Sequence, residues 1–159
     1  MNYEDKIQIR RARSHEAHVL TNIALRAKQS NGYDDLFMDA CKDEPSVKAS
    51  HMKENEYWVA ELCTVCGFVC LADGPEPRVG ELRALFIEPD WQRCGVGRCL
   101  WLKIRQRAES KGIEKVQVDA DPASVAFYES NGFDITENVP SGSINGRFIP
   151  RMEIQIGLY

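Results

Sequence analysis

Apolar positions along the chain change their period several times, and each change predicts an element. Ile7-Gln8-Ile9-Arg10-Arg11-Ala12 alternates and predicts a first strand. Val19, Leu20, Ile23, Ala24 and Ala27 then recur at helical spacing, with Ser14 placed to cap that helix and Asn31-Gly32 to end it. Asp34 or Asp35 opens a second helical run through Leu36, Phe37, Ala40 and Cys41, and Pro45 or Ser46 a further short turn. Tyr57 to Leu62 and Val65 to Ala72 predict two strands joined by a tight turn, and Val79 to Glu88 a fourth. Alternation within that fourth strand puts Glu81, Arg83, Leu85 and Ile87 on one face. Val96, Leu100, Ile104 and Ala108 stripe a helix that Gly112 ends. Lys115 to Ala120 predicts strand five, and Pro122 suits the first turn of a helix closing near Asn131-Gly132. Phe133 to Val139 and Phe148 to Leu158 are the last two strands, with Met152, Ile154, Ile156 and Leu158 on one face.

This succession predicts an α/β (α+β) fold: one mixed, mostly antiparallel sheet of about seven strands with helices on both faces. No internal repeat, low-complexity segment or linker divides residues 1–159, so a single domain is expected.

Composition narrows the function classes. Twenty Lys and Arg against twenty-four Asp and Glu give a net charge of −4, which disfavours nucleic acid as the main partner. No run of about 18 apolar residues occurs, so no membrane span is expected. The start, Met1-Asn2-Tyr3-Glu4-Asp5-Lys6, carries no apolar stretch behind a basic segment, and a cytoplasmic location is expected. Cys63-Thr64-Val65-Cys66 has half the spacing of a zinc knuckle, but the other half is missing and His15, His18 and His51 show no ligand spacing. Free thiols and no metal site are the expectation.

The candidate chemistry lies at residues 92–97, Gln92-Arg93-Cys94-Gly95-Val96-Gly97, between a predicted strand and a predicted helix. Glycines let the backbone approach a phosphate, and the first-turn N–H groups of a helix have no intrahelical acceptor. Arg93 and Arg98 flank the glycines and suit phosphate oxygens, whereas Lys103, Arg105 and Arg107 read as a solvated helix face. The run is not a Walker loop, because no Gly-x-x-x-x-Gly-Lys-Ser/Thr is present. As a dinucleotide fingerprint it fails at Leu100, where the third glycine is required. Cys94 beside a helix start is a candidate reactive thiol, but no histidine lies near it in sequence.

Three blocks together resemble the GNAT (GCN5-related) N-acetyltransferases. The first is Phe86-Ile87-Glu88-Pro89-Asp90-Trp91 running into the glycine loop, the second Asp121 to Phe133 with its Phe127-Tyr128-Glu129-x-x-Gly132-Phe133 pattern. The third is Ser141-Gly142-Ser143 followed by Gly146 to Met152, and the N-terminal run Arg26 to Tyr33 with Phe37-Met38 also looks like one bacterial subgroup.

The resemblance implies the acyl-CoA N-acyltransferase fold, with strands four and five splayed around the cofactor's pantetheine arm. It implies acetyl-CoA as cosubstrate, with Phe86, Ile87, Gln92, Arg93, Cys94, Gly95, Val96, Gly97, Arg98 and Phe127 as its binding residues. Tyr128 occupies the family's tyrosine position and is the candidate acid for the leaving thiolate; the other reading is a core-edge tyrosine. Glu81 stands where histone-type members carry a base, and a water chain is the alternative. Asp121 replaces a frequent asparagine, and an anion there is a poor neighbour for phosphate, so no cofactor role is assigned to it.

The implied function is acetyl-CoA-dependent N-acetylation of a primary amine by direct attack in a ternary complex. A CoA-binding regulatory or structural module is the other class. The implied partners are a small-molecule or peptide amine acceptor, with a homodimer as the assembly allowed for. Residues 26–40 and 139–147, including Asp34, Asp35 and Asp39, with Glu137 beside them, are expected to line the acceptor site.

Overall fold

The computed structural model describes residues 3–34, 38, 46–142 and 144–157. Leu36, Phe37, Ala40 and Cys41 of the predicted second helix lie outside the described residues, as does Pro45. Seven strands form one sheet: β1 Gln8–Arg11, β2 Glu56–Leu62, β3 Thr64–Asp73, β4 Val79–Ile87, β5 Lys115–Asp119, β6 Asp134–Pro140 and β7 Phe148–Gln155. Their spatial order is β1-β2-β3-β4-β5-β7-β6. Every neighbouring pair is antiparallel except β4 and β5. A parallel pair needs a crossover, and the helix Val96–Ser110 between β4 and β5 supplies it.

The helices divide between two cores. Helix α1, Ala17–Gln29, buries Leu20, Ile23 and Ala24 against Tyr57, Val59, Phe68 and Cys70. The short α2, Ala49–Glu54, lies on the same side, with Met52 packed against that core. Helix α3, Val96–Ser110, buries Val96, Leu100, Trp101, Ile104 and Ala108 on the other face, against Val69, Leu71, Leu82, Val116 and Met152. Strand β3 is covered from Cys66 to Ala72 on both faces, which is why it reads as a continuous apolar run. Helix α4, Val125–Ser130, follows β5 through a 3-10 turn at Pro122–Ser124. Ser14 does not cap α1. It opens a 3-10 turn, and the Glu16 carboxylate instead accepts the Arg13 N–H at 2.7 Å.

Two irregularities in β4 position the site. Cys70 pairs with Ala84 but Leu71 pairs with Leu82, so Arg83 is an extra residue, a β-bulge. The bulge overturns the uninterrupted alternation expected from Glu81 to Ile87. Leu82, Leu85 and Ile87 pack in the α3 core, whereas Ala84 and Phe86 pack in the α1 core. Glu81, one residue before Leu82, therefore stands on the α1 face. The second irregularity is a splay. Strand β5 pairs with β4 only from Val79 to Leu82, while β3 follows β4 as far as Ile87. From Arg83 to Ile87 the β5-facing backbone of β4 has no strand partner among the described residues.

Candidate active site

The glycine loop is built by backbone strain and close packing. Arg93 has φ 63° and Gly95 φ 88°, both left-handed, before α3 starts at Val96. A Cβ on Gly95 would also lie 2.7 Å from Cγ of Glu4. From Arg93 to Arg98 no N–H finds a backbone acceptor among the described residues, and Gly95 contributes no capping side chain. Successive N–H groups in such a conformation form an anion-binding nest at the positive end of the helix. Arg93 and Arg98 line the same cleft and carry no ion pair among the described residues.

That cleft has a volume of about 1420 Å³ and passes through the sheet where β4 and β5 part. On the α3 side it is walled by Gly97, Trp101, Phe127 and Tyr128, and on the α1 side by Ala27, Lys28, Val47, His51 and Tyr57. Glu81 to Ile87 line the gap itself. Asp119, Asp121, Pro140, Ser141, Gly142 and Arg147 close its far end. Asn31 joins Lys28 in the wall, so both segments expected at the acceptor site contribute to it. Asp35 and Asp39 lie outside the described residues, and Glu137 pairs with Arg151 at 3.1 Å.

The sequence-derived site residues separate into side-chain and backbone contributors. Glu81, Phe86, Ile87, Gln92, Arg93, Gly95, Gly97, Arg98, Phe127 and Tyr128 all line the cleft. Val96 is 1% exposed with its side chain in the core, and Cys94 packs against that core with its thiol turned to the Gln92 carbonyl at 3.6 Å. Those two residues have backbone N–H groups to offer. Gln92 Nε2 lies 3.5 Å from the Ile87 carbonyl and from Ser30 Oγ, bridging the loop to β4 and to the end of α1. The Arg26–Glu88 ion pair, at 2.7 Å, fastens α1 to the end of β4.

Tyr128 is 5% exposed and sits in an aromatic cluster, its ring centroid 5.2 Å from those of Phe127 and of Phe133. Its hydroxyl makes no hydrogen bond among the described residues, yet no fully buried side-chain N or O among them lacks a partner. The hydroxyl therefore reaches the cleft that Tyr128 lines. Burial pushes the phenol well above its ordinary pKa, so it is a protonated donor at neutral pH. Glu81 pairs with Ala72 on one side and Gln117 on the other, and its carboxylate lies 3.7 Å from Arg83 Nε.

Asp121 has structural partners. Its carboxylate accepts the Ala123 N–H at 2.9 Å, capping the turn at Pro122, and accepts the Tyr33 hydroxyl at 2.6 Å. Arg147 donates to the same hydroxyl at 2.9 Å and stacks over the Tyr33 ring. This network joins the exit of α1, the end of β5 and the β6–β7 hairpin around the far end of the cleft. The five described cysteines are free thiols. Cys66 is buried, donates to the Ala60 carbonyl at 3.4 Å and has its pKa pushed up to about 11 by burial, so it is no thiolate beside the exposed Cys63.

Sequence reasoning missed Tyr57, Arg83 and Trp101 as cleft residues. Tyr57 lies near the start of β2, more than twenty residues before Glu81, and only the β2–β3–β4 register brings them to one wall. No local signal marks it.

The residues present fit acetyl-CoA. An N–H nest with two unpaired arginines suits a pyrophosphate, and the unpaired β4 edge suits the amides of a pantetheine arm, as an added strand would. A through-sheet cleft ending on an unpartnered, protonated tyrosine suits an acyl group meeting its acceptor. Together these define an acyl-CoA-dependent transferase. The acetyltransferase (GNAT) family model matches residues 19–133, and the chain belongs to that family, whose acyl donor is acetyl-CoA. The fold resembles that of paiA N-acetyltransferase from Thermoplasma acidophilum in complex with coenzyme A, with TM-score 0.79 at 19% identity over 94% of this chain and 98% of that one. It also resembles the ribosomal-protein-S18-alanine N-acetyltransferase of Escherichia coli, with TM-score 0.70 at 18% identity over 96% of each chain. Glucosamine 6-phosphate N-acetyltransferase of Trypanosoma brucei brucei is 33% identical over 55 residues, which span 35% of this chain and 37% of that enzyme.

Proposed function

We propose that the protein moves an acetyl group from acetyl-CoA to the primary amine of a separate acceptor, by direct attack with both substrates bound. The observation that carries this reading is the cleft through the β4–β5 splay. The donor reaches the gap from the glycine loop on the α3 side, and the acceptor from the α1 side, so no covalent relay through the protein is needed.

The chain's own groups then have distinct tasks. The nest from Arg93 to Arg98, with the two arginines, holds the pyrophosphate. The free backbone of Phe86 and Ile87 holds the pantetheine arm, and an N–H near Ile87 faces the oxygen on which negative charge develops. Glu81, directly or through water, takes the proton that the amine must lose. As the C–N bond forms and the C–S bond breaks, Tyr128 gives its hydroxyl proton to the departing thiolate.

Tyr128→Phe tests the assignment, because it keeps the ring and its packing. Turnover with an accepted amine at saturating acetyl-CoA is expected to fall about 100-fold or more, with acetyl-CoA affinity little changed. Near-full turnover would remove Tyr128 from the mechanism.

A further inference from the structure

The acceptor half of the cleft contains a charge pair whose guanidinium the transfer chemistry leaves unused. Glu81 and Arg83 stand at the β4 bulge and both line the cleft. Their approach, 3.7 Å between Oε1 and Nε, is an ion pair too long for a hydrogen bond. Neither side chain has another partner among the described residues. Tyr57 belongs to the same wall. It is 7% exposed, and its hydroxyl lies near the Cys70 thiol and in the field of Arg83 without a hydrogen bond of regular geometry. The Cys70 thiol is its one neighbouring partner among the described residues, a weak one, so the hydroxyl keeps capacity for water or ligand in the cleft that Tyr57 lines. Val47, Ala84 and Phe86 supply apolar surface beside these three polar groups.

We infer, building on the acetyl transfer proposed above, that the acceptor is a small zwitterion: an amine bearing a carboxylate or phosphate a few bonds from its nitrogen. The nitrogen sits on Glu81, the anion sits on Arg83, and the Tyr57 hydroxyl donates to the anion. Such a ligand replaces the Glu81–Arg83 pair charge for charge, and the half-exposed Arg83 remains open to an incoming anion. A polyamine places a second cation against Arg83. A neutral amine leaves Arg83 without a counter-charge once Glu81 has turned to the nitrogen. The guanidinium fork also matches both anions in a way that a point charge does not.

The test is thiol release from acetyl-CoA by the full chain with two matched pairs, L-alanine against L-alaninamide and O-phosphoethanolamine against ethanolamine, and with spermidine. At least one zwitterion is expected to exceed its anion-free analogue in kcat/KM, and which pair shows the excess separates carboxylate from phosphate. Arg83→Met is expected to reduce that ratio about 10- to 100-fold, the scale of a lost hydrogen bond to a charged group. Arg83→Lys should restore part of it, and Arg83→Glu should turn the preference toward spermidine. Stabilisation of each variant by acetyl-CoA reports that the fold is intact. Wild-type preference for spermidine, or a ratio that Arg83→Met leaves unmoved, overturns the inference while leaving acetyl transfer standing. If no amine releases thiol, the melting temperature of the CoA-bound protein decides. A rise with a zwitterion that Arg83→Met abolishes supports the subsite and sinks the transfer reading; no rise overturns the subsite.

Discussion

A Cβ placed on Gly97 would lie 3.0 Å from Cε1 of Phe127, so the first turn of α3 and the helix α4 meet at the one residue type without a side chain. The contact holds the glycine loop at a fixed distance from Tyr128, the neighbour of Phe127. Gly97→Ala is therefore expected to lower stability by about 1 kcal/mol through overpacking, despite alanine's better helix propensity. In a Phe127→Leu background the same substitution should become neutral or stabilising. A double-mutant cycle by urea denaturation measures this coupling, and additive effects would mean the two residues do not constrain each other.

Arg93 and Arg98 provide a cleaner probe of cofactor binding than the glycines, because they have no ion-pair partner among the described residues to strand. Arg93→Ala and Arg98→Ala are each expected to weaken acetyl-CoA about 10-fold or more while leaving the melting temperature of the free protein unchanged. Wild-type affinity should fall as salt is raised, through screening of the exposed guanidinium groups. Titration calorimetry at two ionic strengths measures both effects. Unchanged affinity in both variants would place the phosphates away from the loop.

Acid sensitivity should come from two carboxylates that do not line the cleft. Arg10 grips Glu16 with two hydrogen bonds of 3.0 and 2.8 Å, and Arg107 grips Glu56 with bonds of 2.8 and 3.1 Å. These hydrogen bonds hold each carboxyl pKa at about 2, below the ordinary 4.5. A carboxylate with a depressed folded-state pKa stabilises the fold above its unfolded value and loses that contribution as pH falls through the folded one. Each is worth on the order of 3 kcal/mol, lost between about pH 4.5 and pH 2. The Glu16→Gln and Glu56→Gln double variant should be less stable at pH 7 but nearly flat across that window. Circular dichroism melts at several pH values follow it, and a variant as acid-sensitive as wild type would locate the effect elsewhere.

Sequence alone determined the local features. The helical stripe of α3, the β3 apolar run and the glycine breaks at Gly32 and Gly112 are consequences of side-chain spacing and φ sterics among neighbouring residues. The loop at residues 92–97 was legible for the same reason: its geometry depends on Gly95 and on a helix that starts at once. Tertiary structure decided what the cleft contains. A single inserted residue at Arg83 moves Glu81 to the face of Ala84 and Phe86, and no alternation within β4 encodes that insertion. It arises because Cys70 and Leu71 must keep their places in two opposite cores while β4 pairs with both. The splay after Leu82 and the arrival of Tyr57 beside Glu81 likewise depend on strand pairings between residues distant in the chain. Packing of the whole sheet sets such pairings, whereas periodicity reports only which positions of one strand are covered.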